Sequence, residues 1–281
     1  MVFRRESIDE LYVDICRGVL ASGKICSPRG MKTYETINNQ IVLTNPKKRF
    51  LKNKARKLSF SYAIGEWMWY MSGSNELDMI EFYSKNMRRF SDDGKTLAGA
   101  YGPRIMSQIE KVIAILNSDA DSRRAVISIY DESDTGKNSL DIPCTLSLQF
   151  LVRNKKLDLI VNMRANDVFL GLPYDIFSFS LLQEYVAYQL RCEINVYYHN
   201  VSSLHIYDKN IEVINQICED KNQASTEEFY NMDYVFSNIH ELLRVESYIR
   251  KGGDDLCIPK YEDVIMKKII TAIQERKNET S

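Results

Sequence analysis

The chain has 281 residues and a mass of 32.7 kDa, enough for one large domain or two small ones. With 44% apolar and 27% charged residues it reads as a soluble globular chain, and its net charge of −1 argues against an electrostatic nucleic-acid binder. No run of 18 apolar residues and no apolar leader follow Met1, so no membrane span is expected and the location is read as cytoplasmic.

Ser7-Ile8-Asp9-Glu10 has the capping-box pattern, and apolar residues at helical spacing carry a first helix to near Gly23. Turn residues then surround Arg29-Gly30, and alternation up to Leu43 predicts strands. Arg29 is either an exposed loop arginine or a bidentate phosphate contact. From Ser59 to Met71 an apolar, aromatic helix carries one carboxylate, Glu66. That group sits either on a solvated stripe or partly desolvated, as a general acid/base. Helices are expected over 76–90 and 105–117, with Tyr101 in the turn between them.

Arg123 and Arg124 precede the strand 125–130, as a solvated charge patch or as an anion grip in this molecule or a partner. Residues 146–152 and 157–163 form a hairpin around Asn154-Lys155-Lys156. A nearly all-apolar stretch from Asp175 to Leu190 predicts a buried central helix with Asp175 as its N-cap. A strand over 195–207 follows, then helices with polar loops. The economical reading is a single α+β domain over 1–281.

The six cysteines are scattered without a C-x-x-C pair, and the three histidines are too few for a multi-histidine metal site. Cys144 stands apart by its company. It follows a loop, opens a strand, and precedes Arg164, Asn166, Asp167 and a Gly171-Leu172-Pro173 turn. A guanidinium stabilises a thiolate, so the residues alone point to a cysteine nucleophile acting on a small anionic substrate.

Taken together, these dispersed motifs resemble the thymidylate synthase family, including its pyrimidine-nucleotide hydroxymethylase branch. The resemblance runs from about Arg29 to Tyr207. It is carried by Glu66 with Trp67 and Trp69, Tyr101-Gly102, Asp121 to Arg124, Pro143-Cys144, Gln149-Phe150, Arg164 to Asp167, Leu170 to Pro173, and His205-Ile206-Tyr207. It implies the thymidylate synthase-like fold, a mixed β-sheet flanked by helices, with a homodimer formed through the sheet.

The resemblance also implies roles. Cys144 adds to C6 of the pyrimidine, and C5 then takes the one-carbon unit of 5,10-methylenetetrahydrofolate. Arg29 and Arg164 hold the 5′-phosphate, joined by Arg123 and Arg124 from the partner subunit. His205 and Tyr207 bind the sugar, while Asp167, Asn166 and Gly171 line the nucleotide. Glu66 orders water, Tyr101 lies near the nucleophile, and the folate meets Glu66, Met87, Phe90, Asp167 and Gly171.

Departures from the family pattern choose among its reactions. Asp175 stands where the synthases carry asparagine, and a carboxyl that shares a proton can donate to cytosine N3 and accept from its amino group. Met87 and Phe90 stand where the synthases place tryptophans, which lets water trap the methylene before hydride arrives. Ala165 replaces a serine and favours CMP over dCMP. The expected function is therefore a cytidylate 5-hydroxymethylase. The alternatives are a methylase of dUMP or UMP, and a non-catalytic nucleotide- or RNA-binding protein on the same scaffold.

Overall fold

Along residues 157–163 a buried aliphatic residue alternates with a half-buried one, the pattern of a strand with one covered face. The computed structural model, which describes residues 1–220 and 227–280, places this strand near the middle of a mixed sheet. Its seven strands are β1 (Val2–Arg5), β2 (Lys24–Cys26), β3 (Thr33–Leu43), β4 (Val126–Ser128), β5 (Thr145–Arg153), β6 (Lys156–Asp167) and β7 (Glu193–Tyr207). The order is β1-β3-β7-β6-β5-β4, with β2 also paired to β3. The pairs β1–β3 and β6–β7 are parallel and the others antiparallel. β5 and β6 turn through Asn154 and Lys155, both left-handed at φ 51° and 59°, as a two-residue primed hairpin requires.

The chain's contacts divide into two compact units. The first holds residues 1–58, 111–131 and 144–229, and so contains every strand of the sheet. Its core is the helix Leu172–Leu190, buried from Ile176 through Ala187 and packed on β6 and β7. Gln183 fastens this helix to the sheet, donating from Nε2 to the carbonyls of Leu157 at 2.8 Å and Val196 at 3.2 Å. The helix Ile8–Ser22 is capped by Ser7, whose Oγ accepts from the Asp9 N–H at 3.3 Å. It packs on β1, β3 and β7.

The second unit holds residues 59–110, 132–143 and 230–281, and its main elements are the helices Phe60–Ser72, Leu77–Tyr83, Ile239–Arg250 and Val264–Thr280. Part of the polar loop expected beyond Tyr207 falls on 221–226, outside the described residues. Among the described residues, no helix is long and apolar enough to cross a membrane.

Three expected elements differ. The helix expected over 76–90 ends at Tyr83, where Ser84 is extended, and Lys85–Phe90 continues as a 3-10 turn without a buried residue. The polar run from Ser84 to Arg89 offers no apolar stripe to hold an α-helix on a core. The helix expected over 105–117 is two helices, Tyr101–Met106 and Ile109–Ser118, with Gln108 folding back to donate to the Arg104 carbonyl at 2.7 Å. Asp175 is not the N-cap of the central helix: the helix opens at Leu172 behind Gly171, because Pro173 is preset for the first turn.

Arg49, fully buried, donates from Nε to the Pro46 carbonyl at 2.7 Å and pairs with Glu184 of the central helix. Removing the cation strands a buried carboxylate. Arg49→Ala is therefore expected to cost about 3–5 kcal/mol in urea denaturation. The double change Arg49→Met with Glu184→Leu should recover most of that loss.

Candidate active site

One end of the sheet gathers most of the residues singled out by sequence. Cys144 immediately precedes β5, and its carbonyl accepts from the Arg164 N–H at 2.8 Å, which places the two residues side by side across the β5–β6 pair. Beyond Arg164, β6 runs on beside β7, so Ala165 faces Ser203 and Asp167 faces His205. β7 in turn meets β3, where Tyr207 pairs with Thr33. The 3-10 turn Pro28–Gly30 leads into this edge and carries Arg29, exposed, with a left-handed backbone at φ 55°. Left-handed backbone is uncommon for arginine and marks a constrained position. Cys144, Arg164, Asp167, His205, Tyr207 and Arg29 thus share one end of one sheet.

Asp167 is half-buried, and its Oδ1 accepts the N–H groups of Phe169 at 2.8 Å and Leu170 at 3.2 Å. Burial raises its pKa, and those backbone bonds oppose the rise. The turn they close delivers Gly171 and the central helix. Asp175, in the first turn of that helix, accepts through Oδ2 from Asn166 Nδ2 at 2.7 Å. Burial lifts the Asp175 carboxyl to about 7, against the stabilising bond from Asn166 and with the neighbouring Asp167 charge adding to the rise. A side chain at Gly171 would crowd this joint: its Cβ would lie 3.0 Å from Asn166 Nδ2 and 3.2 Å from Asp175 Oδ2.

Two further groups lie against this cluster and are not singled out by the sequence. His199 is fully buried, with Nε2 at 3.0 Å from Asn166 Oδ1 and Nδ1 at 2.8 Å from the Tyr197 hydroxyl. Its strand register beside the buried Tyr197 and Val201 was the available signal. Arg56 donates from Nε to the Phe169 carbonyl at 2.7 Å and stacks its guanidinium on Phe169 at 4.7 Å and on Tyr174 at 5.3 Å. It clamps the turn between Asp167 and Gly171 from a loop with no motif to announce it.

Arg123 and Arg124 are not part of this cluster. They precede β4, and the Arg123 carbonyl accepts from Gln149 Nε2 at 3.0 Å, five residues along β5 from Cys144. At about 3.4 Å per residue that is roughly 17 Å away within the same chain.

In the second unit, the half-buried Glu66 accepts from the Tyr62 hydroxyl at 3.0 Å, and the same hydroxyl lies 3.8 Å from Met87 Sδ. Tyr62 thus joins Glu66 to Met87, another link that sequence did not show. Phe90 lies under the Arg89 guanidinium at 4.7 Å, and Tyr101 packs on Tyr70 at 5.4 Å between ring centres.

The proton on Asp175 has a measurable signature. Its folded pKa of about 7 exceeds the ordinary 3.8, so the native state binds more protons than the unfolded chain between those values and stability falls as pH rises through that window. Asp175→Asn removes this term. Its stability relative to the parent should rise by roughly 2–3 kcal/mol between pH 5 and pH 8 in urea titrations.

Comparison with known proteins gives the family of the chain. The family model for thymidylate synthase matches residues 10–248. A deoxyuridylate hydroxymethyltransferase of Bacillus phage SP01 is 32% identical over 216 residues, covering 70% of this chain and 56% of the relative. Proteins of the same name from Pseudomonas phage M6 and Delftia phage PhiW-14 are 33% and 28% identical, covering 63% and 64% of this chain. The chain spans about half the length of these curated relatives. The mixed sheet, the paired Cys144 and Arg164 at its end, and a family match over 10–248 lead to one conclusion: the chain belongs to the thymidylate synthase family.

Proposed function

We propose that the chain is a cytidylate 5-hydroxymethylase, acting on CMP ahead of dCMP. The observation that carries this reading is the Asp175 carboxyl, held to about 7 at the first turn of the buried helix, where it keeps a proton to share with a base near neutral pH. Cytosine presents an acceptor at N3 and an amino donor at C4, the pair that a protonated carboxyl satisfies.

Cys144 adds through sulfur to C6 of the pyrimidine, and the electron pair displaced from the 5,6 double bond makes C5 nucleophilic. Arg164, its neighbour across the strand pair, and Arg29 grip the 5′-phosphate bidentately. His205 and Tyr207, in edge contact at 5.2 Å, hold the sugar hydroxyls, with Ala165 leaving space at the 2′ position. Asn166 and Gly171 line the nucleotide, and Tyr101 serves near the nucleophile.

Bound 5,10-methylenetetrahydrofolate would supply the one-carbon unit. We assign its binding to Asp167, Gly171, Glu66, Met87 and Phe90. Asp167 fits such a group, since Oδ1 is taken by two backbone donors and Oδ2 takes no hydrogen bond from the described residues, leaving an acceptor for ring amino groups. Glu66, oriented by Tyr62, holds the water that becomes the hydroxyl and moves its proton.

A homodimer completes the reading. One face of the sheet carries a polar ladder across four strands, with Gln40 donating to Asn200 at 3.2 Å, Asn200 to Asn162 at 3.0 Å, and Asn162 to Ser147 at 3.2 Å. A second copy set on this face would bring its Arg123 and Arg124 to a site that they do not reach in their own chain.

A second reading keeps the reaction and changes the base. The relatives are named for deoxyuridylate, which supports dUMP as the substrate. Mass analysis of products from CMP, dCMP and dUMP with methylenetetrahydrofolate separates the two. Hydroxymethylcytidylate is expected, while a methylated uridylate with dihydrofolate would sink the hydroxymethylase reading. Cys144→Ser should abolish product while leaving nucleotide affinity within about threefold. Mixed dimers of Cys144→Ser with Arg124→Ala chains should regain part of the activity, and none would regain it if each site used only its own arginines.

A further inference from the structure

We infer that His199 is a specificity-determining positioning residue: acting through Asn166, it fixes which oxygen of Asp175 carries the proton and thereby selects cytosine over uracil. The inference rests on the reading of Asp175 as the base-contacting group.

The polarity of the chain follows from its members. His199 is fully buried, and burial keeps the imidazole neutral by dropping its pKa to about 3, so one ring nitrogen donates while the other accepts. Nε2 faces Asn166 Oδ1 at 3.0 Å, an oxygen with no hydrogen to give, so Nε2 carries the proton. Nδ1 is left to accept from the Tyr197 hydroxyl at 2.8 Å. With its carbonyl committed to His199, Asn166 presents its amino group to Asp175 Oδ2 at 2.7 Å. Three hydrogen bonds in series therefore run one way, from Tyr197 to Asp175.

Flipping the Asn166 amide would set its N–H against the Nε2–H and its carbonyl against a carboxyl oxygen, two unfavourable contacts in a buried place. Only glycine at 171 leaves room for the joint, because an added Cβ would lie 3.0 Å from Asn166 Nδ2.

The end of the relay decides the chemistry. Asp175 Oδ2 already accepts from Asn166, which favours the proton on Oδ1, and Oδ1 takes no hydrogen bond from the described residues. The titratable groups around the carboxyl are Asp167, whose charge helps retain the proton, Tyr197, and the neutral His199. A carboxyl in this state donates from Oδ1 and accepts at the remaining lone pair of Oδ2. Cytosine N3 and its amino group match that pair. Uracil, with N3–H and O4, needs the proton moved onto Oδ2, where Asn166 already donates.

The test is equilibrium binding of CMP, UMP, dCMP and dUMP to the full chain by calorimetry without folate, at pH 6 and pH 8, with thermal melting alongside. The parent chain should prefer cytidylates at pH 6 and less so at pH 8. His199→Phe and Asn166→Ala should each erode that preference by about tenfold, whereas His199→Gln, whose amide still donates to Asn166, should keep it within about threefold. Asn166→Ala is read alone if His199→Phe does not fold. An unchanged cytosine-to-uracil ratio in folded variants overturns the relay while leaving Asp175 as the base reader. Parent preference for uridylates at pH 6 overturns the proton placement and leaves the hydroxymethylase reading standing. A parent chain that binds none of the four overturns both.

Discussion

The site depends on the register of β6 between β5 and β7. The hydrogen bond from the Arg164 N–H to the Cys144 carbonyl sets one side of that register, and the Asp167–His205 pair sets the other. Side chains in a strand repeat every second residue, so a slip of one position would reverse which face each of them serves. The buried aliphatic row from Leu157 to Met163 prevents such a slip, because it would turn those four side chains out of the core. Packing on one stretch of β6 thus fixes which side chains meet at its end. A parallel neighbour and an antiparallel neighbour bring residues from distant parts of the chain to the same level.

The central helix adds a second constraint. It is buried almost all round, so its first turn is held without freedom to tilt, and Asp175 sits in that turn. A carboxyl in such a place is stabilised only through the few groups that reach it. Asn166 supplies the bond, Gly171 the close approach, and Arg56 holds the intervening turn by stacking and by its bond to the Phe169 carbonyl. The high pKa of Asp175 is the electrostatic consequence of that packing.

Much of this arrangement was legible in the chain itself. The hairpin of β5 and β6 followed from alternation and a polar turn, and the buried helix from its lack of a polar face. Cys144, Arg164 and Asp167 stood out as a sequence cluster. Less legible were elements whose boundaries depend on breaks rather than periodicity. The helix expected over 76–90 breaks at Ser84, and Pro173 starts the central helix ahead of Asp175. β1 and β2 are short strands of four and three residues, too short to show a period.

The chemical inventory was readable from the chain alone: one cysteine in polar company, the arginines, a carboxyl where the synthases carry an amide, and the strand and helix patterns that support them. Those features are local, set by residue type and spacing. It took the folded chain to show that Arg123 and Arg124 stand far along β5 from Cys144, and that Tyr197, His199, Asn166 and Asp175 are bonded in series. Such pairings join residues up to 33 positions apart in the chain, and their geometry is settled by strand register and core packing, which no local pattern encodes.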